Sequence, residues 1–330
     1  MYQKKKFVSI VLKNMGRLSN KMDIYTRKYL AYELIKEATG RDFSALSKSG
    51  GNIRALRVKC CFDFERALKL MNWDKNKQNL YVGCARLKDI PNFTFNPKNR
   101  SEETSAWYHG DFNNSIETYD FFMDFDKGYK CPDCGLSENH MRGLSKKSKD
   151  ILFCKNCNKE FNIKECSMAT IHEVIKDVKI VKEYLDENKV PYYLIFSGNK
   201  GFQIVIDGKY LPIEKIELGN VYPHKTIQEK IKAMLGLGFL DLANNGVNSR
   251  LRKMPYSLVA NGETNEQEMN MALPLTDTQF ENFRVENMKV KNILASTKLV
   301  RRGTLERFQE LSLEEKKQNL QNFINLFAFK

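Results

Sequence analysis

The sequence lacks any apolar run near the ~20 residues that a membrane-spanning helix needs, so we expect no membrane segment. Its N-terminus is basic and then apolar. The apolar part is too short for a signal peptide and has no small-residue cleavage site. The chain also lacks internal repeats and low-complexity tracts. We therefore predict a cytoplasmic or nucleoid-associated protein that is not secreted and has no membrane partner.

Acidic residues are outnumbered, with 40 Asp and Glu against 54 Lys and Arg and a formal net charge of +14. Such a surplus suits a polyanionic partner, because each phosphate contact releases condensed counterions. Lysines are spread along the whole chain, so a generally lysine-rich composition is the alternative explanation. With 330 residues, 42% of them hydrophobic, the chain can form one large domain or two ordinary ones.

Four of the eight cysteines form two CxxC motifs, Cys131–Cys134 and Cys154–Cys157. Without a secretion signal, such motifs indicate a metal more often than a disulfide. The segment 130–165 has few large apolar residues, so a bound metal would replace a hydrophobic core. Four thiolates leave no open position, which predicts one structural Zn²⁺; four unrelated buried thiols are the alternative. His140 and Cys166 are left over.

Strands and helices are mixed without strict βαβ alternation, which predicts an α+β fold. Residues 90–117 are polar and predicted as a loop, and the tail from residue 298 is predicted to be helical. The helices are predicted at 22–39, 62–72, 168–188 and 224–236, and the strands at 79–86, 118–126, 192–197 and 202–206.

Two aspartates end the predicted strand 118–126. Side chains alternate across a strand, so Asp124 and Asp126 should share a face with Cα atoms about 6.5–7 Å apart. A pair of divalent cations roughly 3.5–4 Å apart would fit between such carboxylates. Asp120 has the same parity but is separated from the pair by Phe122, so it is left out of the site. The alternative is that both acids simply end the strand at a solvated loop.

Further along the chain, a glycine-flanked turn and a third acid follow. The turn Ser197-Gly198-Asn199-Lys200-Gly201 should join two strands in a hairpin and could hold phosphate oxygens. It is also an ordinary hairpin turn. Asp241 precedes a basic stretch with Arg250, Arg252 and Lys253 that could complete a metal site beside a triphosphate; a solvated loop is the alternative.

The order of these motifs resembles the archaeo-eukaryotic primase superfamily, which includes the small catalytic primase subunit and the stand-alone primase-polymerases. The shared pattern is DxD on a strand, SGxxGF on a hairpin, then a lone Asp before a basic stretch ending in PxS, over roughly residues 50–265. The resemblance implies two small mixed sheets flanked by helices, one half RRM-like. It implies a catalytic domain over 1–297 with a zinc-ribbon insertion at about 130–165, followed by a helical tail over 298–330.

The resemblance also implies roles for individual residues. Asp124, Asp126 and Asp241 would be catalytic and hold two Mg²⁺ or Mn²⁺ ions. Two positions depart from the family pattern, since Gln203 and Val259 stand where the family usually has His. The residues implied to bind the nucleotide are Ser197, Gly198, Asn199, Lys200, Gly201, Gln203, Arg250 and Lys253.

The implied activity is a template-dependent nucleotidyltransferase that makes and extends primers on single-stranded DNA. Its partners would be the template and nucleoside triphosphates, with a helicase, a larger primase subunit or fused domains as further candidates. Three alternatives stay open: a polymerase that only extends primers, a non-catalytic zinc-ribbon module that binds nucleic acid, and a two-metal nuclease.

Overall fold

A computed structural model describes most of the chain. The described residues are 34, 36–46, 52–55, 80–88, 115–137, 141–143, 150–154, 156–211, 224–242, 251–259, 265–295 and 305–328. The chain divides into two compact units, which we describe separately. The first comprises Met1–Asp120, Ser197–Asn199 and Asn248–Leu305, and the second comprises Phe121–Phe196, Lys200–Val247 and Glu306–Lys330.

Both strands and helices occur in the described part of the chain, as predicted. The strands in chain order are β1 (Arg41–Leu46), β2 (Asn52–Ala55), β3 (Leu80–Leu87), β4 (Ile116–Tyr119), β5 (Phe121–Asp126), β6 (Tyr129–Lys130), β7 (Met141–Gly143), β8 (Ile151–Cys154), β9 (Lys159–Asn162), β10 (Ser167–Met168), β11 (Tyr193–Phe196), β12 (Gly201–Ile206), β13 (Leu240–Asp241), β14 (Leu251–Lys253), β15 (Leu258–Val259), β16 (Asn270–Met271) and β17 (Leu273–Leu275). The α-helices are α1 (Ile171–Glu187), α2 (His224–Leu235), α3 (Asp277–Glu281), α4 (Val290–Ala295) and α5 (Leu313–Ala328).

The first unit is built on an antiparallel sheet in the order β14-β3-β1-β2, with β4 also paired to β3. β3 is the central strand, and its side chains Leu80, Val82 and Cys84 are fully buried. A separate pair, β15 and β16, belongs to the same unit.

A charged network lies in the interior of this first unit. Asp120 forms ion pairs with Arg41 at 2.9 Å and with Arg252 at 3.1 Å, and Arg252 also forms an ion pair with Glu37. Arg41 donates further hydrogen bonds to the carbonyls of Gly83 and Cys84, and all four charged side chains are at most 2% exposed. Two cations and two anions balance, which offsets much of the cost of burying them.

This network explains why the predicted strand 118–126 is two strands. The backbone N–H of Asp120 donates to the carbonyl of Cys84 at 3.0 Å, and Tyr119 lies opposite Ala85 in the first unit. The chain then enters the sheet of the second unit at Phe121. Asp120 is therefore held by arginines, consistent with leaving it out of the candidate site.

Replacing Asp120 should destabilise the first unit strongly. Asp120→Ala leaves Arg41 and Arg252 buried with less counter-charge, so the free energy of unfolding should fall by about 3–5 kcal/mol. The exposed acid Glu117 on β4 provides the matched control, and Glu117→Ala should change stability by less than about 0.5 kcal/mol. Urea denaturation measures both. Equal stability of the two variants would show that the network contributes nothing.

The second unit contains an antiparallel sheet in the order β13-β5-β12-β11. Helix α1 begins after Thr170, which forms a capping box with Glu173 and fixes the start three residues later than predicted. Its apolar stripe, Val174, Val178, Val181 and Leu185, is buried. Helix α5 also buries Leu320, Phe323 and Phe327 in this unit.

The prediction of an α+β fold is confirmed. Pairing is antiparallel among β1, β2, β3, β4 and β14, and among β5, β11, β12 and β13. Helix 62–72 and most of helix 22–39 and of loop 90–117 lie outside the described residues. Among the helices that the structure describes, none has the length and apolar run needed to cross a bilayer.

Candidate metal and nucleotide site

The four predicted cysteines converge in the second unit. All four sulfurs lie within 4.8 Å of one another, and the pairs Cys131–Cys157 and Cys134–Cys154 are each 3.7 Å apart. Tetrahedral zinc with bonds of about 2.3 Å requires sulfurs about 3.8 Å apart. A disulfide would need a separation of about 2.05 Å. The residues therefore fit a structural Zn²⁺.

Local backbone geometry builds the two cysteine turns. Gly135, just after the first pair, and Asn158, just after the second, have φ angles of 71° and 55°. Both residue types tolerate this left-handed conformation, which closes a tight turn. The backbone N–H of Leu136 lowers the pKa of Cys134 to about 7, so one thiolate forms near neutral pH.

The cysteine module consists of the antiparallel strands β7, β8 and β9 and a very small core. Among its described residues, Leu152 and Phe161 are buried together with Cys131 and Cys154. An exposed ion pair of 2.7 Å joins Asp133 in the first turn to Lys159 after the second. A core this small among the described residues agrees with the prediction that a bound metal would replace a hydrophobic core here.

Removing two thiols should remove the metal. We expect about one zinc ion per chain in the wild type, and none in the double variant Cys154→Ser/Cys157→Ser, measured by elemental analysis of purified protein. Cys166 packs against the same cluster without belonging to the four, so Cys166→Ser is the control and should retain the wild-type content. Full zinc occupancy in the double variant would contradict the assignment.

An ion pair of 2.8 Å connects the base of the module, at Lys130, to Glu173 on α1. The hydrogen bond from Lys130 lowers the pKa of Glu173 from 4.5 to about 2. Because the folded-state pKa is depressed, the stabilisation is fully present above about pH 4.5 and is lost as the pH falls towards 2.

Glu173→Gln should therefore be less stable than wild type at pH 6, and the difference should shrink between pH 4.5 and 2. Urea denaturation across this range measures it. Acid also displaces zinc from thiolates in both proteins, so the difference between the two proteins isolates Glu173. A stability difference that stays constant down to pH 2 would contradict the depressed pKa.

The three predicted catalytic acids all lie in the sheet of the second unit. Asp124 and Asp126 occupy alternate positions of β5, and Asp241 on β13 is directly opposite Asp124 in the antiparallel register. Directly opposite residues project from the same face, with Cβ atoms about 4.5–5.5 Å apart. All three side chains are partly exposed. The fold thus places three carboxylates on one face, although Asp241 is distant in sequence.

The other neighbour of Asp124 is Gln203. It lies directly opposite Asp124 on β12, and its Nε2 donates to Asp124 Oδ1 at 3.3 Å. Gln203 is 4% exposed. The residue that stands where the resembling family has His therefore contacts a metal-ligand candidate, a contact that the sequence did not indicate.

Among the described residues, one group of three or more His, Cys, Asp or Glu side chains has its ligand atoms close enough together to hold an ion. That group is the four cysteines. The three aspartates share a face without being gathered to that degree. Their role as metal ligands is accordingly a proposal.

The predicted hairpin is present, with residues 197–200 connecting β11 to β12. Its glycines lie close to other parts of the chain, where a side chain would not fit. A Cβ on Gly201 would lie 1.6 Å from the carbonyl oxygen of Phe125, and one on Gly198, at φ 89°, would lie 2.2 Å from Val259. Asn199 and Lys200 are exposed and accessible to a ligand.

The basic residues after Asp241 have different surroundings. Arg252 is buried in the ion-pair network of the first unit, which removes it from any exposed phosphate site. Lys253 is 5% exposed and its Nζ lies 4.5 Å from the ring centroid of Tyr81. Arg250 lies outside the described residues.

Comparison with known proteins adds no family. No protein-family model and no curated protein sequence matches this chain.

Two further charged residues near Asp241 were missed by sequence reasoning. Asp177 on α1 accepts from the backbone N–H of Phe239 at 2.7 Å, and burial raises its pKa. Lys232 on α2 donates to the carbonyl of Leu240 at 2.7 Å. Burial lowers the pKa of Lys232 to about 8, against the opposing charges of Asp241 and Asp177. An acid within the apolar stripe of α1 was the available signal.

Proposed function

We propose that this chain is a primase-polymerase, a nucleotidyltransferase that makes and extends primers on a single-stranded DNA template. The observation that carries the proposal is the register of β5 with β13, which puts Asp241 opposite Asp124. Acids from two distant segments on one partly exposed sheet face form the donor set that phosphoryl-transfer enzymes use. We also propose the primase-polymerase core as the finer description of the fold.

Two Mg²⁺ or Mn²⁺ ions would be held by Asp124, Asp126 and Asp241, because such hard cations prefer carboxylate oxygens. When bound, such ions lower the pKa of the attacking hydroxyl and stabilise the leaving oxygens. The hydrogen bond from Gln203 to Asp124 restricts the orientation of that carboxylate. The metals in this site are distinct from the structural zinc proposed for the cysteines.

The hairpin supplies a cation beside the same acids. Gly201 is the register partner of Asp126, and the backbone N–H of Lys127 donates to the carbonyl of Lys200 at 3.0 Å. The exposed Lys200 therefore lies next to the end of β5 that carries Asp124 and Asp126. A positive charge here would offset charge on a bound triphosphate. Ser197, Asn199, Arg250 and Lys253 are proposed as further phosphate contacts on the strength of the resemblance.

The proposed reaction joins two nucleotides. The 3′-hydroxyl oxygen of one forms a bond to the α-phosphorus of an incoming nucleoside triphosphate, and the bond from that phosphorus to the β-phosphate oxygen breaks. The hydroxyl proton is lost and pyrophosphate leaves. Starting a chain also requires a second nucleotide on the 5′ side, and the cysteine module is a candidate for holding that nucleotide or the template.

Loss of one candidate ligand should abolish synthesis. With unprimed single-stranded DNA, labelled nucleotides and Mg²⁺ or Mn²⁺, the wild type should yield short labelled products on a denaturing gel. Asp124→Ala and Asp241→Asn should lower product formation by about 100-fold or more, since each removes charge from the metal site. Asp150→Ala changes an exposed acid of the same unit and is the control, expected to match the wild type.

Other outcomes would point to the alternatives. Synthesis only when a primer is supplied indicates an extension-only polymerase. Degradation of template with Mg²⁺ and without nucleotides indicates a nuclease. No synthesis by the wild type, together with DNA binding that Asp124→Ala leaves intact, contradicts the enzyme proposal and favours a binding module.

A further inference from the structure

The segment that leads into Asp241 is held by side chains from three other elements. Asp177 accepts from the N–H of Phe239, and Lys232 donates to the carbonyl of Leu240, each at 2.7 Å. The third is Ser137, whose hydroxyl donates to the carbonyl of Gly238. A Cβ on Gly238 would lie 3.5 Å from Ser137 Oγ and 4.0 Å from Asp177 Oδ2, so the two supports meet at this residue.

This side-chain support matters because β13 is short. Within the described residues, which stop at Leu242 here, it pairs with β5 through Leu240 and Asp241, with one additional backbone bond of 3.1 Å from the N–H of Asp126 to the carbonyl of Phe239. A two-residue pairing by itself fixes a backbone weakly. The position of the Asp241 carboxylate therefore depends on what holds residues 237–240.

Ser137 belongs to the first cysteine turn. It forms a β-bridge with Lys130, and inside that bridge the N–H of Cys131 donates to the carbonyl of Leu136 at 2.8 Å. The turn that presents Cys131 and Cys134 is thus closed by Ser137, which is 3% exposed. Any change that loosens the turn displaces the hydroxyl that holds Gly238.

Helix α1 contacts both segments that Ser137 joins, the cysteine turn and the segment before Asp241. Glu173 pairs with Lys130 at the base of the cysteine turn, and Asp177 holds Phe239 in the segment before Asp241. Residues four apart lie on one face of a helix. The cysteine turn and the Asp241 segment are therefore fixed to the same helix face and joined directly by Ser137.

We infer that the four-cysteine module positions Asp241, with Ser137 as the residue that connects them. When the four thiolates hold an ion, the turn 131–137 is fixed and Ser137 holds the Gly238 carbonyl in place. This keeps Asp241 in register with Asp124. The role of Asp241 as a ligand of the catalytic metals rests on the proposed function; the mechanical connection from the cysteines to the Asp241 segment does not.

Ser137→Ala tests the connection, with Ser167→Ala as the matched control. Ser167 is an exposed serine of β10, beside the same module. Hydrogen exchange followed by mass spectrometry reports the backbone of residues 237–241, and Mn²⁺ binding followed by electron paramagnetic resonance reports the acid site. For Ser137→Ala we expect exchange of that segment to rise about 10-fold, since the Gly238 carbonyl loses the hydrogen bond from the buried Ser137 hydroxyl. Mn²⁺ affinity should fall about 10-fold, the usual effect of losing a residue that orients a ligand.

Removal of zinc, combined with Ser137→Ala, completes a double-perturbation cycle. A chelator should raise exchange of residues 237–241 in the wild type and have a clearly smaller effect on that segment in Ser137→Ala, because the connection is already broken. Equal effects of the chelator in both proteins, or unchanged exchange in Ser137→Ala, would overturn the inference.

The two proposals fail in distinguishable ways. If Asp241→Asn binds Mn²⁺ as tightly as the wild type, the acid site is not a metal site and the proposed function fails. The exchange measurements still decide the mechanical connection in that case. If Mn²⁺ binding depends on Asp241 but is the same in wild type and Ser137→Ala, the proposed function stands and the positioning role is refuted.

Discussion

The antiparallel register between β5 and β13 is the constraint on which the candidate site depends. It places Asp241 opposite Asp124, while the alternation along β5 places Asp126 on the same face. A shift of one residue would turn the Asp241 side chain to the opposite face of the sheet. Because β13 is short, this register is maintained by tertiary contacts to residues 237–240, from Asp177, Lys232 and Ser137.

The contact from Ser137 connects the cysteine module directly to the segment that leads into β13. Helix α1 supplies Glu173 to the base of the cysteine turn and Asp177 to the Asp241 segment. Burying Asp177 and Lys232 has a cost, visible in the raised pKa of Asp177 and in the lowering of the Lys232 pKa to about 8. Retaining both charges beside Asp241 is consistent with a role in holding the acid segment.

The cysteine cluster, the hairpin, helix α1 and the α+β class could be predicted from sequence, because each follows from a local pattern. Two CxxC motifs in a polar segment predicted the convergence of four sulfurs, and the glycine-flanked turn predicted the hairpin of β11 and β12. The helix predicted at 168–188 starts within three residues of α1. The α+β class followed from the same local patterns and is confirmed.

Other features depend on contacts between distant segments, which local patterns do not encode. The break at Asp120 arises because its side chain pairs with Arg41 and Arg252, and Gln203 contacts Asp124 because β12 lies beside β5. Ser137 carries no sequence signal at all, since its role follows only from the proximity of Gly238. For Asp241, the residues themselves left a metal site and a solvated loop both open, and the resemblance implied its place beside Asp124.

The most direct test of the central claim is anomalous X-ray scattering from crystals of the protein grown with Mn²⁺ and a non-hydrolysable nucleoside triphosphate. The account predicts manganese peaks within about 2.0–2.4 Å of carboxylate oxygens of Asp124, Asp126 and Asp241, with the triphosphate beside them. Manganese absent from this sheet face, or bound without Asp241, would contradict it.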